Sequence, residues 1–185
     1  VEPLPSVLSI TQALEQDSFH TKPHVITRGD ADAALAGSPH MLSGKLTIGG
    51  QEHFYLEAHA AWAELGDDGD IKISSSTQHP SEVQAIVSHV LDLPRHKVVV
   101  EAPRMGGGFG GKETQGAPWA ALCALAARKT GKPVRVQLDR DLDLALTGKR
   151  HPFLGSFEVG FDDEGRVLGA KVELTSDGGY ALDLS

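Results

Sequence analysis

Alternating and helix-spaced apolar residues divide the 185-residue chain into short strands and helices. The strongest helical pattern covers 114–129, rich in Ala and Leu, with Gly131 and Pro133 as stops; Pro118 must sit in or near its first turn. A second helix is predicted from Pro80, with Val83, Ile86, Val87, Val90 and Leu91 at helical spacing and Leu93-Pro94 as its end. Shorter helices are predicted over 10–16, where Ser9 and Gln12 have capping-box spacing, and after the N-cap candidate Asp30, ending near Gly37-Ser38-Pro39. One or two further turns fit 139–146. Strands are predicted at 25–28, 41–48, 53–65, 71–74, 96–101, 134–138, 153–161 and 167–174. In 41–48, Leu42, Leu46 and Ile48 share one parity, as in a half-buried strand, and Gly44 interrupts the set. The Gly- and Asp-rich tips at 66–70 and 162–165 are hairpin signals. Strands and helices mix without regular alternation, so the predicted class is α+β, in two layers.

Composition narrows this picture. The length suffices for one domain with its own core or for two small lobes. The expected organisation is a linker with short helices at 1–39 and an α+β core at 40–185. Hydrophobic content of 40% is ordinary for a globular chain. A net charge of −8 argues against a nucleic-acid partner and against anionic lipid. No apolar run approaches the roughly 20 residues that span a bilayer. The single cysteine, Cys123, excludes an internal disulfide or a cysteine-held metal cluster within this segment. Cys123 lies mid-helix among apolar residues and reads as core; a reducing cytoplasm is the expected compartment. The opening Glu2-Pro3-Leu4-Pro5 reads as an extended linker, and both ends read as cut from a longer chain.

Chemistry concentrates in Arg104-Met105-Gly106-Gly107-Gly108-Phe109-Gly110-Gly111-Lys112-Glu113-Thr114. An apolar run, Val98-Val99-Val100, leads in and the longest helix follows, so the expected order is strand, nearly bare loop, helix. Such a loop would offer backbone N–H groups and a helix N-terminus to an anionic or acceptor-rich ligand. Gly106, Gly108 and Gly111 fit G-x-G-x-x-G, but Pro103, Arg104 and Met105 separate them from the strand. The span 106–112 fits G-x-x-x-x-G-K, but Glu113 stands where a magnesium-binding hydroxyl belongs. Elsewhere, His53, Tyr55, Glu57 and His59 would share one strand face, spaced about 7 Å apart and too far for a compact metal site. Asp139, Asp141 and Asp143 mimic a calcium loop, but Leu144 and Arg150 occupy its Gly and Glu positions. Gln78, before His79-Pro80, reads as a helix-capping or loop residue or as a neutral donor to a metal-bound oxygen. Glu113 at a helix start would be favoured by the dipole alone, by about 0.3–1 kcal/mol.

As a whole, the loop resembles the molybdopterin-contacting loop of the molybdenum hydroxylases, and within them the xanthine dehydrogenases. Three further stretches resemble landmarks of that family, in its order: Gly49-Gly50-Gln51-Glu52-His53-Phe54-Tyr55-Leu56-Glu57, Ser76-Thr77-Gln78-His79-Pro80 and Thr147-Gly148-Lys149-Arg150-His151-Pro152-Phe153. The resemblance spans essentially the entire chain. It implies an internal piece of a molybdenum-binding subunit whose enzyme hydroxylates hypoxanthine and xanthine towards urate with water-derived oxygen. It also implies molybdopterin as cofactor here. Iron–sulfur clusters and FAD in other domains or subunits would pass the electrons on to a nicotinamide acceptor.

By the same resemblance, Gln78 donates a hydrogen bond to an oxo ligand of molybdenum and Glu113 contacts the purine. Gly108, Phe109 and Gly110 lie against the cofactor; Phe109 could equally be a plug anchoring the loop in the core. Lys112 is expected to be structural or to support the site indirectly. The family's general-base Glu, a Phe-Arg-Gly-Phe-Gly segment and further pterin-binding segments fall beyond Ser185. The piece alone is therefore expected to be inactive and to hold the cofactor weakly. Two alternatives stay open: an aldehyde or N-heterocycle hydroxylase of the same superfamily, and a non-catalytic phosphate- or nucleotide-binding domain.

Overall fold

A computed structural model describes residues 4–182, so the ends of the expected linker and of the C-terminal stretch lie outside the described residues. The chain forms two compact units: residues 52–150, and residues 1–51 together with 151–185.

In the 52–150 unit, four strands run in the order β4-β3-β2-β5: β2 Ala60–Leu65, β3 Ile71–Ser75, β4 Val98–Glu101 and β5 Val134–Gln137. β2 pairs antiparallel with β3 and β5, while β3 and β4 are parallel and joined through helix α3, Pro80–Leu91. The register puts Ala61, Ala63, Ile71, Ile73, Val98 and Val136 on one face of this sheet. Trp62, Lys72 and Arg135 fall on the other. Helices α3 and α4, Ala117–Thr130, contribute Val83, Val87, Leu91, Ala120, Cys123, Ala124 and Ala127 to the same core as the apolar face. The small side chains of α4 let its backbone approach the sheet closely, and Cys123 is fully buried there. Arg128 of α4 donates to the Leu91 carbonyl at 2.5 Å, capping α3 from its neighbour.

The other unit holds a three-stranded antiparallel sheet, order β1-β6-β7: β1 His40–Ile48, β6 Phe153–Phe161 and β7 Val167–Ser176. Helix α1, Ile10–Glu15, starts at Ser9, whose Oγ accepts from the Gln12 N–H at 3.2 Å. Gln12 reaches back to the Leu8 N–H, one residue earlier than a capping box requires. Helix α2, Ala31–Ala36, is capped by Asp30 as predicted.

Three expectations fail for physical reasons. Residues 25–28 form no strand; Val25 and Ile26 are exposed, and β-branching without a neighbouring edge makes no ladder. β2 begins at Ala60 rather than near His53, because Phe54 takes a left-handed φ of 53° and the following amides bond elsewhere. Leu42, Leu46 and Ile48 do share a face of β1, yet that face is open and the strand is not half-buried. The interrupting Gly44 has a reason: a Cβ there would stand 2.8 Å from the Phe157 ring.

Candidate functional site

The glycine-rich segment leaves β4 at Glu101 and reaches α4 only at Ala117, sixteen positions on, through consecutive turns. Glu113 therefore lies within those turns, half-buried, and not at a helix start; the N-cap of α4 is Gly116, which makes no side-chain cap. The dipole account of Glu113 falls with that.

Both ends of the loop are fastened. At one end, the Gly106 N–H donates to Glu57 Oε2 at 3.0 Å and the Gly106 carbonyl accepts from the Glu57 N–H at 3.2 Å. At the other, the Lys112 carbonyl accepts from the Gln78 N–H at 2.9 Å and from the Thr77 hydroxyl at 3.0 Å. The Lys112 side chain turns inward and is wholly buried. Its ammonium donates to the Glu57 carbonyl at 2.7 Å, Glu57 Oε2 at 3.1 Å and Ser76 Oγ at 2.6 Å, and it lies 4.5 Å from the Tyr55 ring centroid. Burial pushes the Lys112 ammonium below its ordinary value, against the pull of Glu57. Burial would raise the Glu57 carboxyl, but bonds from Gly106, Ser76 and Lys112 outweigh it and hold it below the usual range.

Between these ends the tip stands clear. Phe109 is 72% exposed with a φ of 53°, so it is no plug in the core. Gly110 follows at φ 90°, exposed. Gln78 Oε1 accepts from the Gly110 N–H at 2.9 Å and the Lys112 N–H at 3.2 Å. A Cβ on Gly108 would come within 2.4 Å of that same oxygen, so only glycine admits the amide there. With its oxygen committed, Gln78 keeps its NH2 group, a donor, for a ligand. The Gly111 N–H goes to the Gly108 carbonyl at 2.8 Å. Three amides that a phosphate cradle would use are thus occupied, which removes the physical basis of the nucleotide reading.

Sequence reasoning missed the layer beneath the loop. Asp143 on helix α5, Arg140–Leu146, is fully buried. It accepts from the Tyr55 hydroxyl at 2.6 Å and from the His59 N–H at 2.5 Å. Burial would raise its carboxyl, but those bonds hold it low, while burial and Asp143 together raise the Tyr55 phenol. The His59 ring is fully buried without a well-formed bond at either nitrogen, and burial drives its pKa down to about 4. Only the alternation of polar residues at 53–59 hinted at this layer, and Phe54 breaks that alternation.

The structure thus gathers Gln78, Gly108, Gly110 and Lys112 by direct contact, with Phe109 at the tip; Glu113 sits just beyond. Among the described residues no helix is long and apolar enough to cross a membrane. The family profile of the molybdopterin cofactor-binding domain matches residues 15–185. The chain is 46% identical over 182 residues to a xanthine dehydrogenase of Drosophila subobscura, covering 98% of this chain and 14% of that protein. It is 44% identical over 185 residues to a xanthine dehydrogenase/oxidase of Felis catus, covering 100% of this chain and again 14% of the relative. Among solved structures, quinoline 2-oxidoreductase from Pseudomonas putida 86 superposes with a TM-score of 0.80 at 26% identity, over 95% of this chain and 23% of that one. The chain belongs to the molybdopterin cofactor-binding domains of xanthine dehydrogenase-type molybdenum hydroxylases.

Proposed function

We propose that the segment 106–111 with Gln78 is the cofactor-contacting part of this domain, within an enzyme that hydroxylates hypoxanthine and xanthine towards urate. The residues fit such a group. A bulky side chain held at positive φ and left in solvent is costly unless something uses it, and even a Cβ added at Gly110 would meet nothing within 4 Å, so that side of the tip is open. That exposed, left-handed tip beside an oriented amide donor is the observation that carries the reading. Phe109 and Gly110 would lay their backbone against the cofactor, with the Gly110 N–H already held by Gln78 Oε1, and the Gln78 NH2 would donate to one of the cofactor's oxygens without adding charge. When bound, the cofactor supplies the two-electron oxidation and the water-derived oxygen. Glu113 would pair with polar edges of the purine, so an analogue leaving it unpaired is rejected. Iron–sulfur clusters and FAD elsewhere in the enzyme would carry the electrons away.

The test uses the intact, cofactor-loaded enzyme with xanthine and benzaldehyde as competing substrates, before and after Glu113→Ala. Xanthine should dominate, and the variant should lower kcat/KM for xanthine by at least about 100-fold while sparing the aldehyde. If benzaldehyde is the better substrate and the variant barely matters, the enzyme is an aldehyde or N-heterocycle hydroxylase instead.

A further inference from the structure

Among the groups that the reading above does not use, Lys112 has the most completely defined surroundings. An ammonium carries three N–H donors and no acceptor. Here three acceptors meet it within 3.1 Å: the Glu57 carbonyl, Glu57 Oε2 and Ser76 Oγ. The Ser76 hydroxyl in turn donates a hydrogen bond to Glu57 Oε2 at 2.7 Å, and that same oxygen accepts from the Gly106 N–H. A chain of bonds therefore runs from residue 112, at one end of the loop, through Glu57 to residue 106 at the other. Neither end has to be wired to Glu57 for the sheet or the helices to form, since the core consists of β2, β3, β4, α3 and α4 side chains. Burying a lysine costs stability unless every donor is met. Meeting all three by joining the two feet of an exposed loop fixes where its tip stands.

We propose that Lys112 is a positioning residue: through Glu57 it draws residues 106 and 112 together and so sets the place of the Phe109–Gly110 backbone against the cofactor. This rests on the cofactor reading of the loop. Without the ammonium, Glu57 keeps its Gly106 and Ser76 bonds, but residue 112 loses its side-chain tie and the tip gains freedom.

The experiment compares the intact, cofactor-loaded enzyme with Lys112→Met and with Lys112→Met combined with Glu57→Gln, which removes the unpaired carboxylate. Hydrogen exchange of the 105–111 amides, bound molybdopterin per protein and the unfolding midpoint are measured together. Lys112→Met should speed loop exchange at least about 10-fold and lower bound pterin by more than half, with α4 amides unchanged. The double variant should regain the midpoint but neither loop protection nor pterin. If it regains all three, Lys112 only balances a charge and the proposal is overturned. It is equally overturned if Lys112→Met matches the parent in exchange and pterin. Should both variants fail to fold, Ser76→Ala removes one acceptor of the ammonium. Faster exchange confined to 105–111 then supports the clamp, and unchanged exchange overturns it. Failure of the cofactor reading looks different: loop exchange in the parent would be the same with and without molybdopterin.

Discussion

The two sheets show the same alternation of apolar and polar residues and meet opposite fates. In the 52–150 unit, Ala63, Ile71, Ile73 and Val98 lie at or below 2% exposure, because α3 and α4 cover their face. In the other unit, the register aligns Leu42 with Val159, Leu46 with Gly155 and Leu174, and Phe157 with Val172, which makes a continuous apolar face. Leu46 is nevertheless 57% exposed and Leu174 64%. Among the described residues, the helix packed on that sheet's strands is the six-residue α2, and it sits on the opposite face, where Gly160 and Gly169 make room for Leu35, Ala34 and Ser38. Period two therefore decides which residues share a face, while cover depends on whether a helix of sufficient length follows.

The strongest way to break the contrast is to attack the buried polar layer that, among the described residues, belongs to the covered unit. Asp143→Ala removes the acceptor of two buried donors, the Tyr55 hydroxyl and the His59 N–H. Leaving both unpaired should cost roughly 3–5 kcal/mol. Trp62 and Trp119 both lie in this unit, so tryptophan fluorescence during urea unfolding reads it alone. A loss below about 1 kcal/mol would mean that the layer is solvated and carries no load.

Acid sharpens the contrast further. His59 is held neutral, with its pKa down to about 4 in the fold. The ordinary value, about 6.5, applies once unfolded. Between those values the unfolded state binds a proton that the native state refuses. Stability from this group is thus complete above pH 6.5 and falls towards pH 4, by about 3 kcal/mol. Glu57 and Asp143, both held low, add losses of the same sign at still lower pH. Tryptophan-detected unfolding at pH 7, 6, 5 and 4.5 should show this decline, and His59→Leu should flatten it above pH 4.5. An unchanged slope in the variant would place the proton uptake elsewhere. The charges of the other unit, such as Asp32 and Lys171, are solvent-exposed and should add little.

Much of this was legible because local rules and tertiary contacts agreed. The caps at Ser9 and Asp30, the Pro80 start of α3 and the Gly131 stop of α4 all stand where their side chains dictate. The motif residues Gln78, Gly108 and Gly110 meet, since the small glycine and the amide fit only each other. What stayed hidden depends on pairs remote in sequence. Lys112 reads as structural or supporting, but what it supports is invisible until Glu57 and Ser76, 55 and 36 positions away, are brought to it. Asp143 reads only as part of a failed calcium-loop pattern until Tyr55, 88 positions away, supplies its hydroxyl. Alternation over 53–59 predicted a strand because nothing in it reveals that the Glu57 and His59 amides are spoken for by Gly106 and Asp143.

The smallest expected effect tests the comparison most directly. Leu46→Ala and Ile73→Ala delete the same number of side-chain carbons, one from the edge strand β1 and the other from the inner strand β3. Ile73 is 2% exposed against the α3–α4 layer, so its truncation leaves a cavity and should cost about 2–4 kcal/mol in the tryptophan-detected transition. Leu46 already gives more than half its surface to water, so its truncation removes little transfer energy and opens no void. Its cost should stay within about 0.5 kcal/mol, read from hydrogen exchange of the β6 amides that β1 pairs with. A penalty at Leu46 approaching that at Ile73 would mean that the open face is covered in solution, and the distinction between the two sheets would then lie in their partners and not in their cores.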